Sequence, residues 1–290
     1  MTWRRAGKRD LSELLAFLLP HEWRAVPYTS RLQRLGKRAF PTPLEASVLI
    51  CREGTEIRGT MLLTSAGLLL PAFSPTLDLA RTIPTAPFPG WNDLSFRLYS
   101  LMGPIGEVTW LKKQLPIAPV VSVDYHLMVQ NRESFARASR ESFPYPAGLV
   151  VRTAYPRDLR ELLPLQIRYE IEEVVINKQR YSEQACRQNL KRALRQQLVL
   201  MAEQNGRVVA KAGTNARGFT ADQIGGVYTV EKVRNSGIAF RVMEELLRRI
   251  YAEKNTACLF VKKNNLPALS LYRKLGFRIA EGYQISYFKT

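Results

Sequence analysis

One pattern occurs twice in this chain, and any fold it adopts has to accommodate both copies. Arg9-Asp10-Leu11-Ser12-Glu13-Leu14-Leu15 returns near the middle of the chain as Arg157-Asp158-Leu159-Arg160-Glu161-Leu162-Leu163. Each copy is followed, at a similar distance, by two apolar runs. These are Val48 to Arg52 with Ile57 to Leu63, and Leu198 to Glu203 with Arg207 to Ala212. In the second copy Asn205-Gly206 separates the runs, and both central residues of a tight hairpin turn need positive φ, which these two residue types tolerate. In the first copy Gly54, Thr55 and Glu56 do the turning. Two aligned features point to a duplicated unit, and 290 residues are enough for two domains that each bury a core. Ser142 to Gly148 contains Pro144 and Pro146, which lack amide donors and resist helix or central strand. The boundary is therefore expected there, giving domains 1–145 and 149–290.

The second half has the clearer pattern. Residues 157–163 open a helix, and Gln184 to Gln196 forms another on Ala185, Leu190, Ala193 and Leu194. Gln223 to Val230 reads as a strand interrupted by Gly225-Gly226, a pair that suits either a bulge or the close approach of a ligand to backbone. Val242, Met243, Leu246, Leu247, Ile250 and Tyr251 recur at helical spacing, so that helix needs a sheet to pack on. Ala257 to Val261 is continuously apolar, as in a strand covered on both faces. The class is mixed α/β.

Between the glycine-bearing strand and the amphipathic helix stands Arg234-Asn235-Ser236-Gly237-Ile238-Ala239. A strand that turns straight into a helix aims unpaired amides and the positive end of the helix dipole at one point, which suits phosphate. Gly237 lets backbone approach an anion, and Arg234 adds charge and forked donors. Past the next strand, Asn265 to Phe277 begins with Pro267 in a first helical turn and ends on Gly276, a helix stop.

In both its R-x-x-G-x-G/A turn and its later N-x-x-A-x-x-L-Y-x-K-x-G-F segment, the chain resembles the GNAT superfamily of N-acetyltransferases over roughly residues 149–290. It departs at Ala239, where glycine is commoner. The resemblance implies tandem GNAT-like folds in a mixed sheet, with the N-terminal copy degenerate because the first half lacks such a turn. Its nearest counterpart there is Met102-Gly103-Pro104-Ile105-Gly106, after the strand-like Phe96 to Leu101. The resemblance also implies acetyl-CoA as cofactor. Val227, Tyr228 and Thr229 would lie along its pantetheine arm, the amides of Asn235, Ser236, Gly237, Ile238 and Ala239 would cradle its pyrophosphate, and Asn265 would bond the pantetheine end. Taken alone, Asn265 also fits a helix cap and Tyr272 a core aromatic.

Acyl transfer to an amine needs a neutral nucleophile, a donor for the developing oxyanion and a proton for the departing thiolate. The resemblance assigns the oxyanion to a backbone amide near Tyr228 and the proton to Tyr272. For the base, Glu170, Glu172 and Glu173 form an acidic cluster in a basic chain, with Glu173 the first choice. The same residues also fit a solvated helix face or a contact with a cationic acceptor.

Lys and Arg exceed Asp and Glu by 43 to 25, a formal charge of +18. That favours anionic partners such as nucleotides, RNA or acidic surfaces. The positive residues are scattered rather than gathered in a tail, so nucleic acid is not the favoured partner. Transfer from aminoacyl-tRNA, or RNA binding without catalysis, stay open as alternatives to acetylation of an unidentified primary amine. Leu11 to Leu19 is short and carries Glu13, which fits neither a signal peptide nor a membrane span, and the expected location is cytoplasmic. Three distant cysteines and two histidines give no metal-ligand spacing.

Overall fold

The computed structural model describes residues 2–34, 46–79, 98–138 and 145–288. The chain is mixed α/β and divides into two compact units, Met1–Leu127 with Ala280–Thr290, and Met128–Ile279.

In the first unit β1 (Thr2–Arg5), β2 (Ala46–Glu53), β3 (Glu56–Thr64) and β4 (Leu68–Phe73) pair antiparallel in chain order. Helices α1 (Leu11–Leu18) and α2 (Val26–Arg34) lie between β1 and β2 in the chain. Strand β5 (Ser100–Pro104) runs parallel to β4 and leads into α3 (Ile105–Gln114). After β6 (Val121–Asn131) and α4 (Arg132–Ala138), the second unit repeats the plan. Strands β7 (Leu149–Thr153), β8 (Val199–Gln204), β9 (Arg207–Arg217) and β10 (Ala221–Thr229) are antiparallel neighbours, with α5 (Leu159–Tyr169) and α6 (Glu183–Gln196) between β7 and β8 in the chain. Then come α7 (Ile238–Glu253), β11 (Thr256–Lys262) parallel to β10, α8 (Leu266–Lys274) and β12 (Arg278–Tyr287).

The repeated heptapeptide has one structural job in both copies. Its aspartate closes the turn before a helix and receives a forked arginine from the preceding strand. Arg4 donates to Asp10 at 2.9 and 2.5 Å, and Arg152 donates to Asp158 at 3.0 and 2.9 Å. The Gly7 and Tyr155 amides donate to the same carboxylates at 2.8 and 2.7 Å. Side-chain hydrogen bonding to Arg4 and Arg152 holds both carboxyls below the usual aspartate range. In the hairpin of the second copy Asn205 and Gly206 take φ of 52° and 73°, the geometry that the Asn-Gly pair permits.

The second unit is layered. Alternation along β8 sends Leu200 and Ala202 to the core under α7, where Met243, Leu246, Leu247 and Ile250 are buried, and sends Val199 and Met201 toward Leu162, Cys186 and Leu190 of α5 and α6.

The unit bounds differ from 1–145 and 149–290 because each copy gives its last strand away. Residues of β12 pair antiparallel with β5 in the first unit, Tyr283 opposite Pro104 through Tyr287 opposite Ser100. Met128–Asn131 of β6 belong with the second unit, where Gln130 accepts from the Tyr251 hydroxyl at 3.1 Å and donates to the Leu275 carbonyl. The chain thus passes from one unit to the other inside two strands; of the proline-rich stretch, 142–144 lie outside the described residues and 145–148 fall within the second unit.

Strand order also corrects the expected first-half counterpart of the Arg234 to Ala239 turn. Met102–Pro104 end β5 and Ile105–Gly106 follow it, and β5 matches β11 rather than β10, since each is parallel to the strand before it. Ile105 and Gly106 accordingly begin a helix that matches α8. The position equivalent to the Arg234 to Ala239 turn comes after β4 and leads into residues 80–97, outside the described part. Phe96 and Arg97 of the expected strand lie there too. Among the described residues no helix is long and apolar enough to cross a membrane.

Candidate functional site

Strands β10 and β11 pair in parallel only from Ala221 opposite Thr256 to Ile224 opposite Leu259. Beyond that register β10 runs on to Thr229 and β11 to Lys262, so Val227, Tyr228 and Thr229 follow the point where the pairing stops. The cause lies in Gly225-Gly226. The β9–β10 register shifts between Gly225 and Tyr228, and Gly226 has φ of +64°. A Cβ at Gly225 would meet the side chain of exposed Asn215, which would have to shift to admit it.

After β10 the chain makes the turn expected from sequence. Asn235 and Gly237 both take positive φ, 63° and 82°, and α7 starts at Ile238 with Gly237 as its cap. Helix geometry leaves the first amides of α7 without intrahelical acceptors, and alternating left-handed residues turn neighbouring amides into a concavity for an anion. A Cβ on Gly237 would meet only the Pro146 ring, at 3.9 Å, so the approach to these amides is open. The Ser236 hydroxyl is turned back onto the Val233 carbonyl at 2.6 Å. Arg234 does not extend into the turn. Its guanidinium donates to the Thr229 carbonyl at 3.0 Å and to Glu172 at 2.9 Å, and lies 5.4 Å from the Tyr228 ring centroid.

The three glutamates sit where α5 widens into a π turn at Glu170–Val174, closed by the Val175 amide on the Glu170 carbonyl at 2.8 Å. That turn sends them to three places. Glu170 accepts from Gln166 at 2.9 Å. Glu172 accepts from the Tyr228 hydroxyl at 2.7 Å and from Arg234. Glu173 reaches the start of α8, where Asn265 Nδ2 donates to it at 3.2 Å and Lys262 Nζ lies 3.4 Å away. Asn265 is also the cap of α8, its Oδ1 accepting the Ala268 amide at 3.1 Å. Tyr272 is buried two turns along the same helix, its ring edge-on to Phe277 at 6.0 Å. Burial raises the Tyr272 phenol well above its ordinary value, and the charges of Tyr169 and Glu173 add to that, so the hydroxyl keeps its proton. Glu173 therefore meets Asn265 at the start of α8, and its charge is felt by Tyr272 two turns on, while Glu172 and Arg234 form a separate pair beside the turn.

Sequence reading missed Lys211. The alternation that puts Ala210 and Ala212 under α7 puts Lys211 on the α5 side, 4% exposed. Its ammonium donates to the Gly226 carbonyl at 2.7 Å and lies 4.6 Å from the Tyr169 ring centroid. It thereby holds the bulge from below, and Tyr169 in turn accepts from the Gly226 amide at 3.4 Å. The signal was a charge inside the apolar run Val208-Val209-Ala210-Lys211-Ala212. Burial pushes this ammonium down to about 7, against the opposing charges of Glu170 and Cys186. The native state then releases the proton at lower pH than the unfolded chain does, so between about pH 7 and 10.5 the unfolded state holds one more proton and stability rises with pH. Urea melts should show wild type gaining on Lys211→Met by up to roughly 5 kcal/mol across that window. A flat difference would mean that the lysine stays charged in the native state.

Comparison with known proteins follows this geometry. The FR47-like protein family model matches residues 200–285, from β8 into β12. No curated protein matches the sequence significantly. A Drosophila protein of solved structure has 14% identity, 98% of each chain covered and a TM-score of 0.68. A tandem GNAT protein from the clavulanic acid biosynthesis pathway has 12% identity, coverage of 100% of this chain and 99% of that one, and a TM-score of 0.58. A GCN5-related N-acetyltransferase from Kribbella flavida has 12% identity, coverage of 98% and 96%, and a TM-score of 0.52. At such identities the likeness is one of fold: the chain carries a tandem GNAT-like fold in mixed α/β form.

Proposed function

We propose that the second unit is an N-acyltransferase that moves an acyl group, acetyl first among the candidates, from coenzyme A to a primary amine. The observation that carries this reading is the end of β10–β11 pairing at the Gly225-Gly226 bulge, with the α7 amide cradle following β10 and Glu173 with Asn265 following β11. The fold supports general acyl transfer, and the open face of Gly237 fits a pyrophosphate that needs close backbone approach.

When bound, acyl-CoA supplies the activated thioester. The chain's own residues supply the rest. Backbone amides of Asn235 to Ala239 hold the pyrophosphate, and β10 backbone at Val227, Tyr228 and Thr229 orients the arm. Beside the bulge, the backbone amide near Tyr228 faces the negative charge that builds on the acyl oxygen, and Lys211 keeps that backbone in register. Glu173 takes a proton from the incoming amine, directly or through water, and Tyr272, protonated by virtue of its burial, gives one to the leaving sulfur.

Acetyl-CoA titration tests the cofactor. A ligand present at a hundredfold over its dissociation constant stabilises the native state by about 2.7 kcal/mol, readable as a thermal shift. Absence of any shift with saturating acetyl-CoA and with longer acyl-CoA thioesters would overturn the reading.

A further inference from the structure

The first unit has a cleft of its own, independent of the function proposed for the second. It is a cavity of about 320 Å³, within the range that holds a small molecule. It opens where β4 and β5 separate, since their parallel pairing is limited to Leu68 opposite Ser100 and Leu69 opposite Leu101. Its walls are mostly apolar, including Phe17, Leu18, Pro71, Phe73 and Pro75.

One carboxylate lies among these walls. Glu107, in the first turn of α3, is 3% exposed, and its Oε2 is buried with no hydrogen-bond partner among the described residues. Its Oε1 lies 3.2 Å from Arg24 Nη2. Arg24 cannot do more, because it is committed to Glu281 at 2.6 and 3.0 Å and to the Phe73 carbonyl at 3.3 Å. Together these side chains put two carboxylates against one guanidinium. Burial raises the Glu107 carboxyl to about 8, over the opposing pull of Arg24 and of Phe73 backbone, which is the behaviour of an anion short of a positive neighbour. Glu107 Oε2 therefore lacks a hydrogen-bond donor, and the guanidinium nearest to it is shared with Glu281. An anionic ligand would find Arg24 already paired, whereas a cation beside Glu107 would favour its ionised form.

We infer that this cavity binds a small primary ammonium with an apolar body, its charged end on Glu107 Oε2 and its body against Phe17, Phe73 and the prolines. His21, at the cavity's edge, is exposed and leaves the interior to the ammonium. The degenerate copy thus keeps a ligand site in the same β4–β5 gap that in the second unit is the β10–β11 gap.

The test is calorimetric titration of the full chain with benzylammonium, benzyl alcohol and benzoate. Benzylammonium should bind, benzyl alcohol at least tenfold more weakly, and benzoate not detectably. Glu107→Gln, which keeps size and removes charge, should weaken benzylammonium at least tenfold. Ala72→Leu, which narrows the cavity without touching a charge, should do the same and stands in if the first variant fails to fold. Both variants should retain the acetyl-CoA shift, whose own failure bears on the second unit alone. Absence of benzylammonium binding, binding unchanged in both variants, or loss on Glu173→Gln with retention in Glu107→Gln would overturn the inference.

Discussion

Replacing Gly237 by glutamate is expected to abolish acetyl-CoA binding while leaving the protein folded. Folding survives because the added Cβ meets only the Pro146 ring at 3.9 Å, and the remaining cost is that of a side-chain-bearing residue at φ of 82°, about 1–2 kcal/mol. Binding does not survive, because a carboxylate would stand at the mouth of the amide cradle. Two like charges about 5 Å apart repel by roughly 3 kcal/mol at an effective dielectric of about 20, more than a hundredfold in affinity. Gly237→Ala separates the two effects, since it carries the same backbone cost without charge. Calorimetric titration should give alanine a loss of about tenfold or less and glutamate no measurable binding. Equal losses in the two variants would mean that no anion sits at this turn.

That turn could be found in the sequence because its requirements are local. Positive φ at Asn235 and Gly237, a strand before and an amphipathic helix after are all written within about thirty residues. The repeat was legible for the same reason: Arg152, Asp158 and the Asn205-Gly206 turn act on near neighbours. What the chain does across long separations was not. Nothing within β12 says that Tyr283 to Tyr287 will pair with β5, since an alternating strand suits any edge with a matching register. The counterpart of the cofactor turn was misjudged by one strand because Gly103 and Gly106 have the right composition, and only the parallel pairing of β4 with β5 shows which strand they follow.

The site divides along the same line. Asn265 and Tyr272 come from one helix, and their spacing was readable. The π turn that sends Glu170, Glu172 and Glu173 in three directions depends on backbone that widens at Glu170–Val174, and helical spacing alone gives no notice of it. Arg234 shows the cost of reading charge without partners. Its place in the turn suggested an anion contact, yet Glu172, 62 positions earlier, claims its guanidinium and the Tyr228 hydroxyl together. Lys211 was visible only as a charge out of pattern, and its role under Gly226 required the fold.

The largest catalytic effect is expected from Tyr272→Phe. The ring is buried against Phe277 and phenylalanine keeps that packing, so stability and acetyl-CoA affinity should change little. Turnover should fall by roughly 10²–10⁴, the span associated with loss of a positioned proton donor. Equal loss of binding and turnover would reject the acid role, because a residue that acts only on the leaving sulfur contributes to the rate and not to the ground-state complex. Glu173→Gln gives the complementary result. It preserves shape beside Asn265 and Lys262 but removes the base, so kcat should fall while acetyl-CoA affinity holds. Glu172→Gln is the control that separates neighbours. Its partners are Arg234 and Tyr228 beside the α7 turn, so it should change acetyl-CoA affinity and leave kcat near the wild-type value. If instead kcat falls in Glu172→Gln and holds in Glu173→Gln, the base belongs beside the β10 turn, and the contact of Glu173 with Asn265 at the start of α8 is a structural cap.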